Sequence, residues 1–202
     1  MFALIESGSI TKYLNGNKGI TLGDTQYPKA IYTLWSEAER NAIGIYSITF
    51  DNSNKEDEQW YINTNQTYTY DASAGTVTAT YGSATAKAHA DTNFSAQDEE
   101  DGLGTEGELA TRGLKYNLIQ TVKVQAAGEL NKTDWYITRK TEKNTAIPSA
   151  ITTHRDAVRS KQAAMETAIT NASDTPALET LYTFTKQDDG SVTRPLGELP
   201  TL

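Results

Sequence analysis

Apolar residues recur along this chain at two different periods, and the change of period falls near its midpoint. In the first half they alternate, as a strand with one buried face requires. Phe2, Leu4 and Tyr13 flank "ESGS", where Gly8 can supply the positive φ of a tight turn, so the opening stretch is expected to form a hairpin. "NGNKG" at 15–19 marks a second turn. "TLWSEAERNAIG" has helical spacing, with Leu34, Ala38 and Ala42 on one stripe and Gly44 as the stop. "IYSITF" at 45–50 alternates again. Beyond the polar "DNSNKEDE", the segments "QWYINT", "QTYTYD" and "GTVTATYG" are rich in β-branched and aromatic residues and predict a meander. Residues 1–92 therefore predict a small β-rich interaction module with one short helix.

"SAQDEEDGLGTEGE", Ser95–Glu108, holds six acids and three glycines, so residues 93–108 are expected to form an acidic linker. Past it the period becomes about 3.6. Leu114, Leu118, Val122, Ala126 and Leu130 share one helical face, and Gly128 is expected to weaken its end. A second long helix is expected from Ser149 to about 172, after Pro148 and with Ser149 as its cap. Its seam is Ile151, Val158, Met165 and Ile169, interrupted by Arg155 and Gln162. This seam can close against Leu114, Leu118 and Val122 or pair between subunits. A third helix is predicted to start at Pro176, followed by a turn-rich, extended tail. The whole reads as α+β: a β-rich N-terminal module of hairpin, short helix and meander, then a helical hairpin or bundle over 109–202.

Composition narrows the function. Hydrophobic residues make up 37% of the 202, which predicts a thin core and stabilisation by neighbouring chains. A net charge of -8 argues against nucleic acid, whose phosphates demand clustered Lys and Arg. The chain has no cysteine, so disulfides and thiolate metal sites are excluded. No run of eighteen apolar residues predicts a membrane span, and Glu6 interrupts the start as a secretory signal. These features predict a soluble protein made in the cytoplasm.

Candidate chemistry is sparse. His89 falls in a loop-like stretch and His154 in a helix, so the two are not expected to share a metal. "DEEDG" at 98–102 fails as a calcium loop, because the twelfth position from Asp98 is Leu109. Neither G-x-S-x-G nor a phosphate loop occurs, and no pair among the 26 acids stands out for glycoside hydrolysis. No catalytic residue, cofactor or metal is expected. Tyr68 and Tyr70 share one face of their strand. They can stack on a sugar or a partner protein, or pack across strands as core.

"NKTDWYITRK", Asn131–Lys140, concentrates a tryptophan, a tyrosine and three basic residues. Thr133 or Asp134 can cap a helix, which sets Arg139 one turn beyond Trp135, a cation–π pair contributing about 0.5–1 kcal/mol when exposed. A strand with Trp135, Ile137 and Arg139 on one face is the alternative. Asn144 as terminator and Pro148 before the next helix favour a helical hairpin, with Trp135 as its hydrophobic anchor under Arg139.

Leu130–Ile169 resembles the C-terminal segment of many tailed-bacteriophage tail proteins. There a T-D-W-(Y)-x-x-R-x-x-E element precedes an I-P element and an R-x-x-x-R helix. The matching residues are Thr133, Asp134, Trp135, Arg139, Glu142, Ile147, Pro148, Arg155 and Arg159. The start "MFALIESGSITKY" is similar to the opening hairpin of tail-fibre and tail-assembly proteins. Where the family often has glycine after the acid, this chain has Lys143-Asn144, and Asn also tolerates the left-handed conformation. The resemblance implies a non-enzymatic component or transient assembly chaperone of the phage tail. Its implied partners are other tail, baseplate or fibre proteins and further copies of itself. It implies a place in the virion tail, with assembly in the host cytoplasm. A host surface glycan is the further candidate ligand, through Tyr68 and Tyr70.

Overall fold

The computed structural model describes residues Met1–Leu202 and divides them into two compact units, Met1–Thr85 and Ala86–Leu202. The fold class is α+β, β-rich first and helical second.

The first unit opens with β1 (Phe2–Glu6) and β2 (Ser9–Leu14), joined through Ser7 at φ 51 and Gly8 at φ 78. Two successive positive φ angles match the twist of the flanking strands, which is why this hairpin closes here. A second hairpin, β3 (Ile20–Leu22) and β4 (Thr25–Tyr27), leads into α1 (Ile31–Leu34) and α2 (Glu37–Ala42). The single helix expected over this stretch is thus two. Trp35 is extended, and Ser36 starts α2 with a capping box: its hydroxyl accepts the Glu39 amide while the Glu39 carboxylate accepts the Ser36 amide. That reciprocal cap satisfies two amides a continuous helix would have bonded internally, and it leaves Leu34 exposed. Gly44 ends α2 as expected, at φ 79, with space for a Cβ closed by the Ile5 carbonyl 2.7 Å away.

β5 (Ile45–Asp51), β6 (Tyr61–Ile62), β7 (Thr67–Asp71) and β8 (Thr76–Thr80) follow. The main sheet runs β2-β1-β5-β8-β7. Of the expected meander, the β7–β8 hairpin is present, while β8 lies parallel to β5 and "QWYINT" contributes only the two residues of β6. A parallel neighbour needs a long crossover, and the polar stretch after β5 together with β7 supplies it. Alternation along β1 and β5 divides two cores. Leu4, Leu14 and Ile45 pack with Ile20, Ile31 and Tyr32 on one face, and Ala3, Ile48, Val77 and Ala79 cluster on the other. On this second face the edge strands curl together until Tyr13 of β2 and Tyr68 of β7 stack with ring centroids 4.7 Å apart.

β9 (Thr85–Ala86) straddles the division between the units. The second unit then forms a narrow ribbon of β10 (Thr92–Asn93) and β11 (Leu109–Thr111), which encloses α3 (Ala96–Glu100). The stretch expected as a linker over 93–108 is therefore a folded lobe inside this unit. Ser95 and Asp98 form a capping box, the Phe94 amide donates to Glu108, and the Gly107 amide donates back to Phe94. Local hydrogen bonds order the lobe despite its charge.

The remaining elements are α4 (Leu114–Asn131), α5 (Asp134–Lys143), α6 (Ser149–Asn171), α7 (Thr175–Tyr182), β12 (Thr185–Lys186) and β13 (Val192–Thr193). α4 starts where the Gly113 amide donates to Asp91 Oδ1 at 2.8 Å, and it runs on through Gly128. It packs antiparallel to α6: Arg155 near the start of α6 reaches Leu130, and Lys115 Nζ reaches the Thr170 carbonyl at the far end. Ile151, Val158, Met165 and Ile169 are all buried, with Val122 and Ala126 buried on α4. Ser149, expected to cap α6, is instead its first helical residue and makes no capping bond. Preceded by Pro148 at ψ 138, its own amide sits where a helix leaves amides unpaired in any case. α7 begins as expected, with Asp174 accepting the Ala177 amide ahead of Pro176. The tail is docked, not extended. β12 and β13 pair, Leu196 is buried, its amide donates to Leu181, and Lys161 Nζ donates to its carbonyl.

Candidate functional site: a latched, exposed helix

α5 is the element whose surroundings least resemble those of a core helix. No residue along its length is buried. Its fixed end is the turn that joins it to α4. Thr133, 1% exposed, donates its hydroxyl to the Leu130 carbonyl at 2.9 Å. Arg155 Nη1 enters from α6, donates to that carbonyl at 2.7 Å and to Thr133 Oγ1 at 2.7 Å, and forms an ion pair with Asp134 Oδ1 at 2.8 Å. One guanidinium nitrogen thereby ties the end of α4, the turn and the first residue of α5. Thr133 does not cap α5 with its side chain; that oxygen is committed to the latch.

At the far end Asn144 adopts φ 51, the left-handed cap expected of it, and accepts from Lys140 Nζ at 2.9 Å through its side-chain oxygen. Between these ends Trp135 and Tyr136 stack with centroids 3.8 Å apart, and the Arg139 guanidinium lies 4.7 Å from the indole and 5.1 Å from the phenol ring. The expected cation–π pair is present. The expected anchor is not: Trp135 is 51% exposed, and Ile137 beside it is 41% exposed. The indole stacks on its helical neighbours Tyr136 and Arg139, and the Arg155 latch fixes the turn without it. Pro148 is exposed and serves only to launch α6.

The structure therefore splits the anchor set predicted from sequence. Thr133 and Asp134 meet Arg155 in the latch, whereas Trp135 and Arg139, one turn apart, form a stack with Tyr136. Arg155 was legible as a basic residue interrupting an apolar seam and as one of the motif positions, and the interruption was the signal of a buried partner. Lys140 and Lys143 occupy the last turn, where the helix dipole favours positive charge. No carboxylate of the chain forms an ion pair with Arg139, Lys140 or Lys143, and Arg139 Nε is buried without a hydrogen-bond partner.

In the first unit Tyr68 and Tyr70 share a face, as alternation predicts, and both pack on the Ala3–Val77 cluster. Tyr70 donates its hydroxyl to that of Tyr46 at 3.2 Å. The core role is thus filled. Tyr68 also helps line a polar groove of about 520 Å³ with Tyr81, Glu58, Asn63, Asn65 and Gln66. The groove wall is braced: Asn63 exchanges two hydrogen bonds with the Glu56 backbone, and Thr64 Oγ1 accepts the Gly82 amide.

His89 and His154 lie in different elements, and no group of three or more His, Asp or Glu side chains is placed to hold a metal ion. Asp98 of the failed calcium loop caps α3; hydrogen bonds from the Ser95 hydroxyl and amide hold its carboxyl below the usual range. No helix is long and apolar enough to cross a membrane.

Fold and site together define a two-unit α+β protein that presents a short, rigidly held, basic-aromatic helix. Among known proteins, the chain matches no family model, no curated protein and no solved structure.

Proposed function

We propose that the chain is a tail-associated protein of a tailed bacteriophage that acts by protein–protein contact, not catalysis, with α5 as the contacting element. The observation that carries this reading is α5 itself, tied down at its first turn while Trp135, Ile137 and Arg139 remain outside any core. Tryptophan, tyrosine and arginine are the side chains that dominate binding energy at interfaces, and a rigid helix presents them with little ordering cost. Four of the nine residues that carry the resemblance to phage tail proteins, Asp134, Trp135, Arg139 and Glu142, lie on this helix, and Thr133 and Arg155 hold it in place. On this reading its partners are tail, baseplate or fibre proteins, and its place is the assembling or finished tail.

Mass spectrometry of purified virions and of tail-assembly intermediates tests the proposal. The chain is expected in at least one of them. Trp135→Ala combined with Ile137→Ser is expected to remove it from that fraction while the variant still melts cooperatively as a folded chain. Absence of the wild-type chain from both fractions refutes the reading. Presence in intermediates alone identifies the chaperone form. The Tyr68–Tyr81 groove supports a second reading, a glycan-reading module, because Asn65 and Gln66 offer amides with no protein partner beside two rings.

A further inference from the structure

The second unit carries two surfaces of opposite character. α5 holds Arg139, Lys140 and Lys143 against Asp134 and Glu142, Asp134 being already paired with Arg155, while Lys132 in the turn before it is paired with Glu129. The lobe at Ser95–Glu108 holds six acids and no Lys or Arg. Each surface has an apolar centre: Trp135 at 51% exposure on α5, Leu103 at 64% and Leu109 at 41% on or beside the lobe. Each is held rigid, α5 by the latch and the Asn144 cap, the lobe by its capping box and by the Glu106 amide donating to Glu99 Oε2. Within one chain no ion pair joins them.

We infer that α5 of one copy docks on the Ser95–Glu108 lobe of a second copy of this chain. The inference rests on the reading of α5 as the contacting element and names its partner. Arg139 supplies the most specific argument. Its guanidinium is positioned over two rings, and no acid of its own chain answers it. A carboxylate from the facing lobe completes it, while Leu103 covers the indole edge and removes both apolar groups from water. Lys140 and Lys143 then face Glu100 and Glu106, whose carboxylates make no bond within the chain. Because two different surfaces meet, the contact is heterologous: each copy offers a free α5 at one side and a free lobe at the other. Copies therefore add head to tail, closing into a ring or continuing as a filament.

The mass of the full chain in solution, by light scattering after size exclusion, tests this. At about 50 mM salt the wild type is expected well above 22.1 kDa, and at about 500 mM salt it is expected to fall toward that value as the charges are screened. Lys140→Glu with Lys143→Glu, and separately Glu100→Lys with Glu106→Lys, should each give 22.1 kDa at low salt. Mixed together, the two double variants should associate again, since each reversed surface then meets its complement. Restored association also shows that both variants are folded. A wild type that stays monomeric at low salt at its highest soluble concentration overturns the inference, as does a mixture that fails to associate. Neither result touches the particle assay above: loss of Trp135→Ala/Ile137→Ser from tails alongside a monomeric wild type would leave α5 a contact for a different protein. Normal entry of that variant into tails would instead remove α5 as the contacting element, whatever the oligomeric state.

Discussion

Replacing Arg155 with methionine tests the latch most directly. Methionine keeps the length and apolar stem of the side chain and removes only the guanidinium, so lost packing contributes little. Three acceptors lose a donor: the Leu130 carbonyl, Thr133 Oγ1 and Asp134 Oδ1. They are not equivalent. The Leu130 carbonyl keeps the Thr133 hydroxyl at 2.9 Å and is not orphaned. Asp134 is 53% exposed in its side chain, so water replaces its lost partner and the ion pair contributes only about 0–1 kcal/mol. Thr133, at 1% exposure, loses a charge-assisted bond that nothing replaces, a term of about 1.5–3 kcal/mol. The expected total for Arg155→Met is about 2–3 kcal/mol, or a fall in melting temperature of roughly 10 °C for a unit of this size.

The comparison that gives the reasoning its edge is Asp134→Asn. It removes the formal ion pair while leaving Arg155 its two buried acceptors, and it should cost less than about 1 kcal/mol. Circular-dichroism melts of the two variants and wild type decide the matter, with limited proteolysis at Lys140 and Lys143 reporting whether α5 comes loose. If Asp134→Asn destabilises as much as Arg155→Met, the exposed carboxylate and not the buried hydroxyl holds the joint. If Arg155→Met melts with the wild type, no latch exists.

Four further outcomes follow from the same geometry. Trp135→Ala should cost about 1–2 kcal/mol in a denaturant titration, against about 3–5 kcal/mol for a buried tryptophan, because half of the residue is already in water. Gly113→Ala should destabilise the start of α4 by about 1–3 kcal/mol, since a Cβ there would lie 2.3 Å from the Ala90 backbone, and a melt within 1 °C of wild type would show that the contact relaxes freely. The Asp91 carboxyl is held below its ordinary value first by the Gly113 amide and then by Arg112, so what it lends α4 is fully present above about pH 4 and lost as pH falls through the lowered value; amide exchange at Gly113 should quicken only there. If the Tyr68–Tyr81 groove reads sugars, Gln66→Ala and Tyr81→Ala abolish retention on a neutral-glycan array at unchanged melting temperature, while silence of the wild type on that array removes the glycan reading.

Periodicity disclosed the large features because burial imposes them. The seam Ile151, Val158, Met165 and Ile169 was visible as a spacing, and it is buried as a spacing must be when one helical face meets another. Local chemistry was legible where a single residue decides the backbone, at Gly8, Gly44, Asn144 and Pro176. It was missed where two local options compete. Ser36 and Glu39 split a helix that periodicity joins, and Ser95 and Asp98 order a lobe that composition assigns to a linker. The sheet order escaped because nothing in "TYTYD" or "TVTAT" encodes that β8 pairs parallel with β5. Trp135 was misplaced for a different reason: tryptophan is buried on average, and only tertiary context shows that Arg155, four residues into the seam, already occupies the joint.

α5 also poses an energetic problem whose solution bears on function. A helix of ten residues is too short to hold itself in water, where stable isolated helices need about 12–15 residues, and this one buries nothing. Its persistence rests on its two ends: the Arg155 latch fixes the first turn and so removes the cost of nucleation, and Asn144 with Lys140 closes the last. The Trp135–Tyr136–Arg139 stack adds a local term between. End-fixing of this kind leaves Trp135, Ile137 and Lys140 exposed, which burial cannot do. If Arg155→Met frees α5, binding should therefore weaken even though no contacting side chain has changed. Affinity lost in Arg155→Met but recovered when a covalent staple restores the helix would separate this ordering role from any direct contact by Arg155. Loss that the staple does not recover would place Arg155 in the interface itself.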